Sequence, residues 1–451
     1  MRARRLTFHL LTVSAFTLLG ACSKPIFPGE DQYGPNPKLP EPRQFLVPPM
    51  AIAKPVGFAA TDTPKVPAGY TIEAVARDLH GPRRVLPLPG GDLLVVESGG
   101  PGLEPVERPK SIVFKLVMGK SHSKVKPGNR VLLLHDGNGD GIADRTTVLI
   151  PKLTSPFGIA VIGSKLYVAA TDAIWQYDYT PGATSIGAGR ILTDLPGGPI
   201  DHHWTKDLVA SPDGSKLYVG VGSNSNIVEK GFEAEKGRAA IWEVDPANGA
   251  KRLYATGLRN PNGLTFYPGS QTLFTVVNER DEIGNNLVPD YLTSVKDGGF
   301  YGWPYSYYGQ HVDIRVHPQN PALVASAISP DYALGPHVAA LGLAFVNGGV
   351  LAGQFQGGAF VGEHGSWDRS TFYGYQVVYV PFAGGRPTGK PMPFVTGFID
   401  QASGEAKGRP VGLAMAGDGS LLIADDVGQA VWRVRPAGAP AAAMVAGARV
   451  R

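Results

Sequence analysis

The chain has 451 residues, of which 43% are hydrophobic, with 59 glycines, 40 prolines and a formal net charge of +4 at pH 7. Glycine and proline mark tight turns, so this composition favours a turn-rich β protein over a helical one. The small charge and the lack of a basic tract argue against nucleic acid as a partner. A single cysteine excludes an intrachain disulfide, a thiolate zinc site, a catalytic thiol and a C-x-x-C-H haem attachment.

The N-terminus has the features of a processing segment. Three arginines occur within the first five residues, an apolar run extends from Leu6 to Leu19, and the sequence LGAC ends at Cys22. This pattern predicts a lipoprotein signal peptide over residues 1–21, with Cys22 as the site of lipid attachment. An ordinary signal peptide with an incidental cysteine is the alternative. Attached lipid would hold the mature protein to a membrane, in the bacterial periplasm or cell envelope.

Residues 22–65 are rich in proline and show no apolar periodicity. They are expected to run extended from the anchor, either as a tether or as a wrap along the edge of the folded domain. At the other end, residues 437–451 are rich in Ala, Gly and Pro, which predicts a disordered tail.

Between these segments, residues 66–436 contain a loose repeat in which a turn with Gly or Asp precedes an alternating strand. Six copies are found, and seven or eight blades would require copies that the sequence lacks. The pattern predicts an all-β fold, a six-bladed β-propeller. The copies begin GGDLLVVES at Gly90, GSKLYVAATD at Gly163, DGSKLYVGVGSN at Asp213, PGSQTLFTVVNER at Pro268, GGAFVGEHGSW at Gly357 and DGSLLIADDVGQ at Asp418.

The stretch DGNGDGIAD, from Asp136 to Asp144, resembles an EF-hand loop. Its twelfth position is Thr147, so the bidentate glutamate of such loops is missing. The stretch is either a weak calcium loop or a turn between two strands.

Three segments between residues 201 and 304 contain side chains suited to catalysis: DHHWTKDL with His203, GLRNPNGLTF with Arg259, and NERDEIGNNLVPDY from Asn278 to Tyr291. An imidazole suits a general base because its pKa lies near neutrality. Carboxylate and carbonyl oxygens are the ligands that hard cations prefer. A surface histidine, a structural ion pair and a solvated acidic loop are the respective alternatives.

These segments resemble the PQQ-dependent sugar dehydrogenases, in particular the L-sorbosone and pyranose dehydrogenase branch, which is related to soluble quinoprotein glucose dehydrogenase. The resemblance covers residues 70–436 and implies PQQ and Ca²⁺ as cofactors. It implies His203 as general base and Arg259 as a cation that stabilises charge on the reduced quinone. Implied cofactor contacts are His203, Arg259, Asn260, His337, His364, Arg369, Lys407 and Arg409. Implied calcium ligands are Glu279, the carbonyl of Arg280, Asp281 and Asp290.

The activity implied by the resemblance is oxidation of an aldose or a sorbosone-like sugar aldehyde to the lactone or acid. Hydride would pass to the quinone, and an external acceptor such as a cytochrome or a quinone would take the electrons, because the chain has no haem attachment site. One alternative is a calcium-dependent lactonase-type hydrolase, against which the cations Arg259, Lys407 and Arg409 argue. The other is a non-catalytic lipoprotein that binds a glycan or a protein, for which His203→Ala would leave function intact.

Overall fold

The computed structural model describes residues 29–45, 49–101, 125–198 and 203–439. The predicted signal peptide, Cys22, His202 and residues 440–451 of the predicted tail lie outside these ranges. In the described part of the chain, no helix is both long enough and apolar enough to cross a membrane.

The described chain consists mainly of short strands. Two strands come before the main series, β1 (Lys54–Pro55) and β2 (Tyr70–Ala76). Blade 1 contains β3 (Pro82–Pro87), β4 (Leu93–Glu97), β5 (Arg130–His135) and β6 (Arg145–Ile150). Blade 2 contains β7 (Gly158–Ile162), β8 (Lys165–Ala169), β9 (Ala173–Asp178) and β10 (Arg190–Asp194). Blade 3 contains β11 (Leu208–Ala210), β12 (Leu217–Val221), β13 (Ala240–Val244) and β14 (Lys251–Thr256).

The second half repeats this plan with insertions. Blade 4 contains β15 (Pro261–Phe266), β16 (Leu273–Val277), β17 (Pro289–Ser294) and β21 (Tyr332–Pro336). Three short strands, β18 (Gly299–Phe300), β19 (Ser306–Tyr307) and β20 (His311–Val312), lie in the insertion between β17 and β21 and are not part of this sheet. Blade 5 contains β22 (Ala340–Phe345), β23 (Ala359–Glu363), β24 (Gln376–Val380) and, after β25 (Phe382–Ala383) and β26 (Arg386–Pro387), β27 (Met392–Val395). The strands β28 (Ile399–Asp400) and β29 (Glu405–Ala406) form a small sheet with β1. Blade 6 contains β30 (Pro410–Met415), β31 (Leu421–Asp425), β32 (Ala430–Pro436) and β2.

Helices are few and short in the described residues. The α-helices are α1 (Pro321–Ser326) and α2 (Ala352–Phe355), and the 3-10 helices are Glu30–Gln32 and Phe232–Glu235.

The six blades follow one another in a ring. Their first strands, β3, β7, β11, β15, β22 and β30, contact one another in chain order, and β30 contacts β3. Blade 6 is completed by β2, which pairs antiparallel with β32 and so joins the two ends of the described sheets. The all-β prediction is confirmed, and this cyclic order of antiparallel sheets is what a propeller requires.

Burial between neighbouring sheets explains why the repeat is visible in the sequence. The second strands β4, β16, β23 and β31 are buried at every position, because each is covered by a sheet on both faces. Outer strands such as β6 and β10 have exposed positions and a weaker apolar pattern. The six repeat copies coincide with the second strands of all six blades, which are β4, β8, β12, β16, β23 and β31.

Candidate active site

All predicted site residues lie at one end of the sheets. In an antiparallel four-stranded blade, the connection from the second to the third strand and the connection from the fourth strand to the next blade leave at the same end. His203, Arg259, His337 and Arg409 lie in or beside connections of the second kind, and the loop between β16 and β17 is of the first kind. Strand order therefore gathers side chains that are distant in sequence.

His203 is held by the loop after β12. Its Nδ1 lies 2.9 Å from the carbonyl oxygen of Ser223 and 3.0 Å from the Oγ of the same residue. The Ser223 hydroxyl donates its own hydrogen to the carbonyl of Ser225 at 2.7 Å, so both oxygens beside Nδ1 act as acceptors. The neutral ring therefore has its proton on Nδ1, which leaves Nε2 as the basic nitrogen.

Arg238 ties down the backbone around His203. Its guanidinium donates to the carbonyl of His203 at 3.1 Å, and to the carbonyls of Pro196 at 2.8 Å and Gly197 at 3.3 Å. Arg238 thus bridges both sides of the connection from β10 to β11. The sequence analysis did not identify it, because an isolated arginine after a glycine carries no distinctive pattern.

Arg259 is 2% exposed and crosses from blade 3 to the acidic loop of blade 4. Its guanidinium donates to the carbonyl of Glu279 at 2.6 Å, to Oδ2 of Asp281 at 3.1 Å and to Oδ1 of Asn226 at 3.0 Å. Its backbone carbonyl accepts from the amide of Ser223 at 2.7 Å. Arg259 therefore connects the loop that supports His203 to the predicted calcium loop.

Asn260 lies beside His203. A Cβ added to Gly222 would come within 2.5 Å of the His203 Cβ and 2.4 Å of the Asn260 Oδ1. Glycine is thus required at position 222 by close approach. The amide of Asn260 donates to the side chain of Asn278 at 3.3 Å, at the start of the acidic loop.

Asp290 and Glu279, two of the four predicted calcium ligands, have side-chain oxygens engaged in hydrogen bonds within the protein. Both oxygens of Asp290 accept backbone amides, from Glu279 at 2.8 Å and Ala339 at 2.7 Å, and burial raises the pKa of Asp290 to about 7. An oxygen of Glu279 accepts from the Nε of Arg280 at 3.1 Å. The assignment of the Arg280 carbonyl oxygen as a ligand stays a prediction.

Asp281 belongs to a cluster suited to a cation. Asp281, His337 and Asp368 offer ligand atoms that lie within 4.8 Å of one another. Oδ2 of Asp368 accepts the amide of Glu282 at 2.6 Å, whereas its Oδ1 is buried without a hydrogen-bond partner among the described residues. Burial and the charge of Asp281 raise the pKa of Asp368 to about 6. An orphaned carboxylate oxygen beside a second carboxylate fits a bound cation.

His337 supplies positive charge to this cluster. Its Nδ1 lies 3.2 Å from Oδ1 of Asp281 and its Nε2 lies 3.1 Å from the carbonyl of Gly284, so both nitrogens face acceptors. Burial lowers the pKa of His337, but the hydrogen bond to Asp281 and the charges of the nearby aspartates outweigh burial and raise the pKa overall. A protonated His337 neutralises negative charge of the carboxylates. A bound metal ion would do the same in its place.

A second group of charges, the basic cluster, surrounds Asp426 between blades 5, 6 and 1. Arg83 lies 2.7 Å from Oδ2 of Asp426, and the Nε2 of His364 lies 3.1 Å from the same carboxylate. The Arg83 guanidinium covers the ring of Trp204 at 5.3 Å. Arg83 and Asp426 were not predicted from the sequence, because they lie in blades 1 and 6 and meet only when the ring closes.

Arg409 completes the basic cluster. The positive charge of Arg409 is one of several charges that lower the pKa of Asp426. Burial is the largest cause of the lowered pKa of His364, and the charge of Arg409 lowers it further. Its Nη2 donates to the hydroxyl of Tyr375 at 3.2 Å. The Nε atoms of Arg83 and Arg409 are buried and have no acceptor in the described part of the chain. Buried donors without acceptors fit an acidic ligand.

Lys407 and Arg369 lie at the margins. The Nζ of Lys407 is 3.1 Å from Asp62, and both side chains are about two-fifths exposed at 42% and 43%. Arg369 is buried, with its guanidinium on the carbonyl of Asn285 and 4.8 Å from the ring of Tyr373. Arg369 therefore joins the loop of Asp368 to the loop of Asp281.

The EF-hand-like loop has internal partners for its carboxylates. The two oxygens of Asp136 accept the amides of Gly139 at 2.7 Å and Gly141 at 2.8 Å, and Asp144 accepts the amide of Gly137 at 2.7 Å. These are the bonds of an Asx-type turn. The loop lies in the connection from β5 to β6, at the end of the sheets opposite to the candidate site.

The protein thus consists of antiparallel sheets arranged in a ring, with a polar site formed by the loops at one end of the sheets. A model of the TrAA12-like family matches residues 123–296 and 316–437. The chain belongs to this family, and the predicted resemblance is confirmed.

The chain is also similar in sequence to two individual proteins. A pyrroloquinoline quinone-dependent pyranose dehydrogenase of Coprinopsis cinerea is 25% identical over 433 residues, which cover 82% of this chain and 54% of the relative. The chain thus spans about half the length of that enzyme. An uncharacterized protein of Borreliella burgdorferi is 27% identical over 302 residues, covering 62% of this chain and 76% of the relative.

Solved structures agree on the fold. The holo form of the pyranose dehydrogenase PQQ domain from Coprinopsis cinerea superposes with a TM-score of 0.67 at 23% identity, covering 85% of this chain and 100% of that one. The PQQ-bound aldose sugar dehydrogenase from Streptomyces coelicolor gives 0.52 at 17% identity, covering 82% of this chain and 99% of that one. At these identities the likeness concerns the fold alone.

Proposed function

We propose that this protein is a PQQ- and calcium-dependent dehydrogenase that oxidises an aldose or a sugar aldehyde, on a six-bladed propeller. The observation that carries the proposal is the pair of buried Nε atoms on Arg83 and Arg409, which have no acceptor among the described residues and lie at the same end of the sheets as the base His203. PQQ carries three carboxylates, and arginines with unused donors suit them. The family membership of the chain supports the same activity.

The proton acceptor would be the Nε2 of His203. Because the Nδ1 of this ring donates to Ser223, Nε2 can take the proton of a sugar hydroxyl without a change of tautomer. Arg238 and Gly222 hold the imidazole in place, the first through the His203 carbonyl and the second by close packing. PQQ, when bound, supplies the carbonyl group that accepts hydride.

The cations have separate roles. Arg83, Arg409 and His364 would bind cofactor carboxylates, with Asp426 keeping Arg83 and His364 in position and Tyr375 accepting from Arg409. Lys407 and Arg369 are proposed as outer contacts. Arg259, buried between Asn226 and Asp281, would face negative charge that develops on the cofactor. Asn260, next to His203, would fix the approach of the cofactor or the sugar.

Calcium would be held by Asp281 and Asp368, whose carboxylates are close together and one of whose oxygens is orphaned. Loop carbonyls such as that of Arg280 would add oxygen ligands, with Glu279 and Asp290 as the further predicted ligands. A bound divalent ion would replace the positive charge that His337 contributes. The role of the ion would be to polarise the cofactor.

The electrons would leave to an external acceptor, a cytochrome or a quinone. Lipid attachment at Cys22, proposed from the sequence alone, would keep the protein on a membrane of the bacterial envelope. The narrower proposal is that the substrate is a sorbosone-like sugar aldehyde. The broader proposal is that the enzyme oxidises simple aldoses.

The test is dye reduction by purified protein after addition of PQQ and calcium, with aldoses, sorbosone and simple aldehydes as substrates. Activity should require both additions. His203→Gln should lower kcat by about 10²- to 10⁴-fold, because a general base contributes that much, while the PQQ titration stays as in the wild type. Wild-type protein that binds no PQQ would refute the proposal and favour the lactonase or the glycan-binding alternative.

A further inference from the structure

The N-terminal residues cross the end of the sheets that carries the site. We call residues 29–45 and 49–56 the N-terminal strap. The strap begins beside blade 4, where Gly34 and Ala333 exchange backbone hydrogen bonds at 3.0 and 2.8 Å. It ends beside blade 6, where β1 pairs with β29. Along this path, it contacts the segment that holds each residue of the Asp281, His337 and Asp368 cluster.

The first contact is with the loop of Asp281. The amide of Arg43 donates to the carbonyl of Ile283 at 2.9 Å, two residues after Asp281. Leu39 packs on the apolar cluster to which the buried Ile283 belongs. The next residue, Gly284, accepts from the His337 ring. The strap thus holds the backbone of the loop two residues after Asp281.

The second contact is with the backbone that leads to His337. Gly335 has a φ of +111°, and a Cβ there would come within 2.8 Å of the Cε1 of Tyr33. The ring of Tyr33 therefore lies directly on the backbone of Gly335. Only glycine allows both this φ and this approach. His337 follows two residues later, so Tyr33 packs on the backbone that leads to the histidine.

The third contact is with the loop of Asp368. The amide of Ala51 donates to the carbonyl of Trp367 at 3.2 Å. The hydroxyl of Tyr33 bonds to that of Tyr373, and Tyr373 closes the loop through its amide, which donates to the Oγ of Ser366 at 2.9 Å. One side chain of the strap, Tyr33, therefore touches the supports of both His337 and Asp368.

We propose that the N-terminal strap is a structural part of the cation site and that Tyr33 is its main positioning residue. The proposal rests on the proposed function, because the cation is the calcium ion assigned there. Each of the three cluster residues lies on a different connection, and connections of this kind are mobile unless something else orders them. The strap orders all three before the ion arrives, so the ion does not have to supply the free energy of ordering.

Calcium titration of PQQ-free protein tests the proposal without reference to activity. Tyr33→Ala should weaken calcium binding by about tenfold or more, the usual cost of losing a residue that supports metal ligands. Tyr33→Phe should have a smaller effect, because it removes only the bond to Tyr373. Tyr70→Ala is the matched control: this tyrosine packs on Phe355 and Phe394 in the outer sheets, away from the cluster, and should leave the affinity unchanged.

Hydrogen–deuterium exchange of the metal-free proteins gives a second readout. Exchange in residues 281–287 and 366–373 should be faster in Tyr33→Ala than in wild type, with no such change in Tyr70→Ala. Folded Tyr33→Ala protein with wild-type exchange in both loops and wild-type calcium affinity would overturn the proposal. If wild-type protein bound no calcium, the metal assignment would fail, whereas the exchange data would still decide whether the strap orders the loops.

Discussion

Two groups of buried charge lie near the same end of the molecule, and they differ in how completely their hydrogen bonds are satisfied. We call Arg280 and its partners Glu279, Asp313 and Ser306 the closed network. Arg280 is fully buried, and each of its guanidinium nitrogens has an acceptor. Its Nε donates to Glu279 at 3.1 Å, its Nη1 to Asp313 at 2.9 Å and its Nη2 to the carbonyl of Ser306 at 2.5 Å. No guanidinium nitrogen of Arg280 is left for a ligand, so this arginine is a part of the scaffold, although Oε1 of Glu279 is buried without a hydrogen-bond partner among the described residues.

The basic cluster around Asp426 is different. Arg83 and His364 contact this one carboxylate and Arg409 adds its charge nearby, and the Nε atoms of both arginines are buried without an acceptor in the described chain. Three basic side chains on one acid leave an excess of donors. The comparison teaches that burial alone does not separate a structural arginine from a ligand-binding one, because equally buried guanidinium groups differ in how many of their donors are used.

The largest expected effect comes from breaking the closed network. Arg280→Met should destabilise the protein by about 3–5 kcal/mol, because it leaves the buried Glu279 without its partner. Urea denaturation of cofactor-free protein measures this. Arg252→Met is the control: Arg252 is 48% exposed in its pair with Glu243, and its loss should cost about 1 kcal/mol or less. An unchanged midpoint for Arg280→Met would mean that the network does not hold the fold.

In the basic cluster, we expect a substitution to lower PQQ affinity and not to lower the stability of the cofactor-free protein. Arg409→Met should cost about 1.5–3 kcal/mol of PQQ binding free energy, the worth of hydrogen bonds to a charged group. The denaturation midpoint of the cofactor-free protein should stay the same or rise, since an unused buried donor is removed. Absorbance titration with PQQ gives the affinity. A variant that loses stability and keeps PQQ affinity would assign Arg409 to the scaffold.

The last prediction concerns Glu363, which precedes His364. Burial raises the pKa of Glu363 to about 8, against the opposing hydrogen bond from Gln376. The folded protein thus keeps a proton that the unfolded chain releases above its ordinary pKa of 4.5. Stability from this group is therefore present at low pH and is lost as the pH rises towards about 8.

Glu363→Gln should remove that pH dependence, because a neutral amide replaces the acid. The variant should melt near the wild-type temperature at pH 5 and above it at pH 8, as followed by thermal unfolding. Melting curves of the two proteins that shift in parallel between these pH values would show that Glu363 does not titrate in this range.

The sequence by itself determined the strands at the centre of each blade. The segments that begin at Gly90, Asp213 and Asp418 coincide with second strands, whose burial on both faces requires a continuous apolar run. His203, Arg259 and Asn260 were predicted together because the short motifs that contain them resemble those of a known family. These are local patterns, and local patterns are readable along the chain.

Tertiary structure decided the rest. Arg83 meets Asp426 only because the ring closes, and Tyr33 meets Tyr373 only because the strap crosses the loops. Asp368 joins Asp281 through a contact between neighbouring blades. Such pairs are separated by tens to hundreds of residues, and a single charged or aromatic side chain has the same local sequence whether or not its partner is near. Only the folded chain brings the two partners within bonding distance.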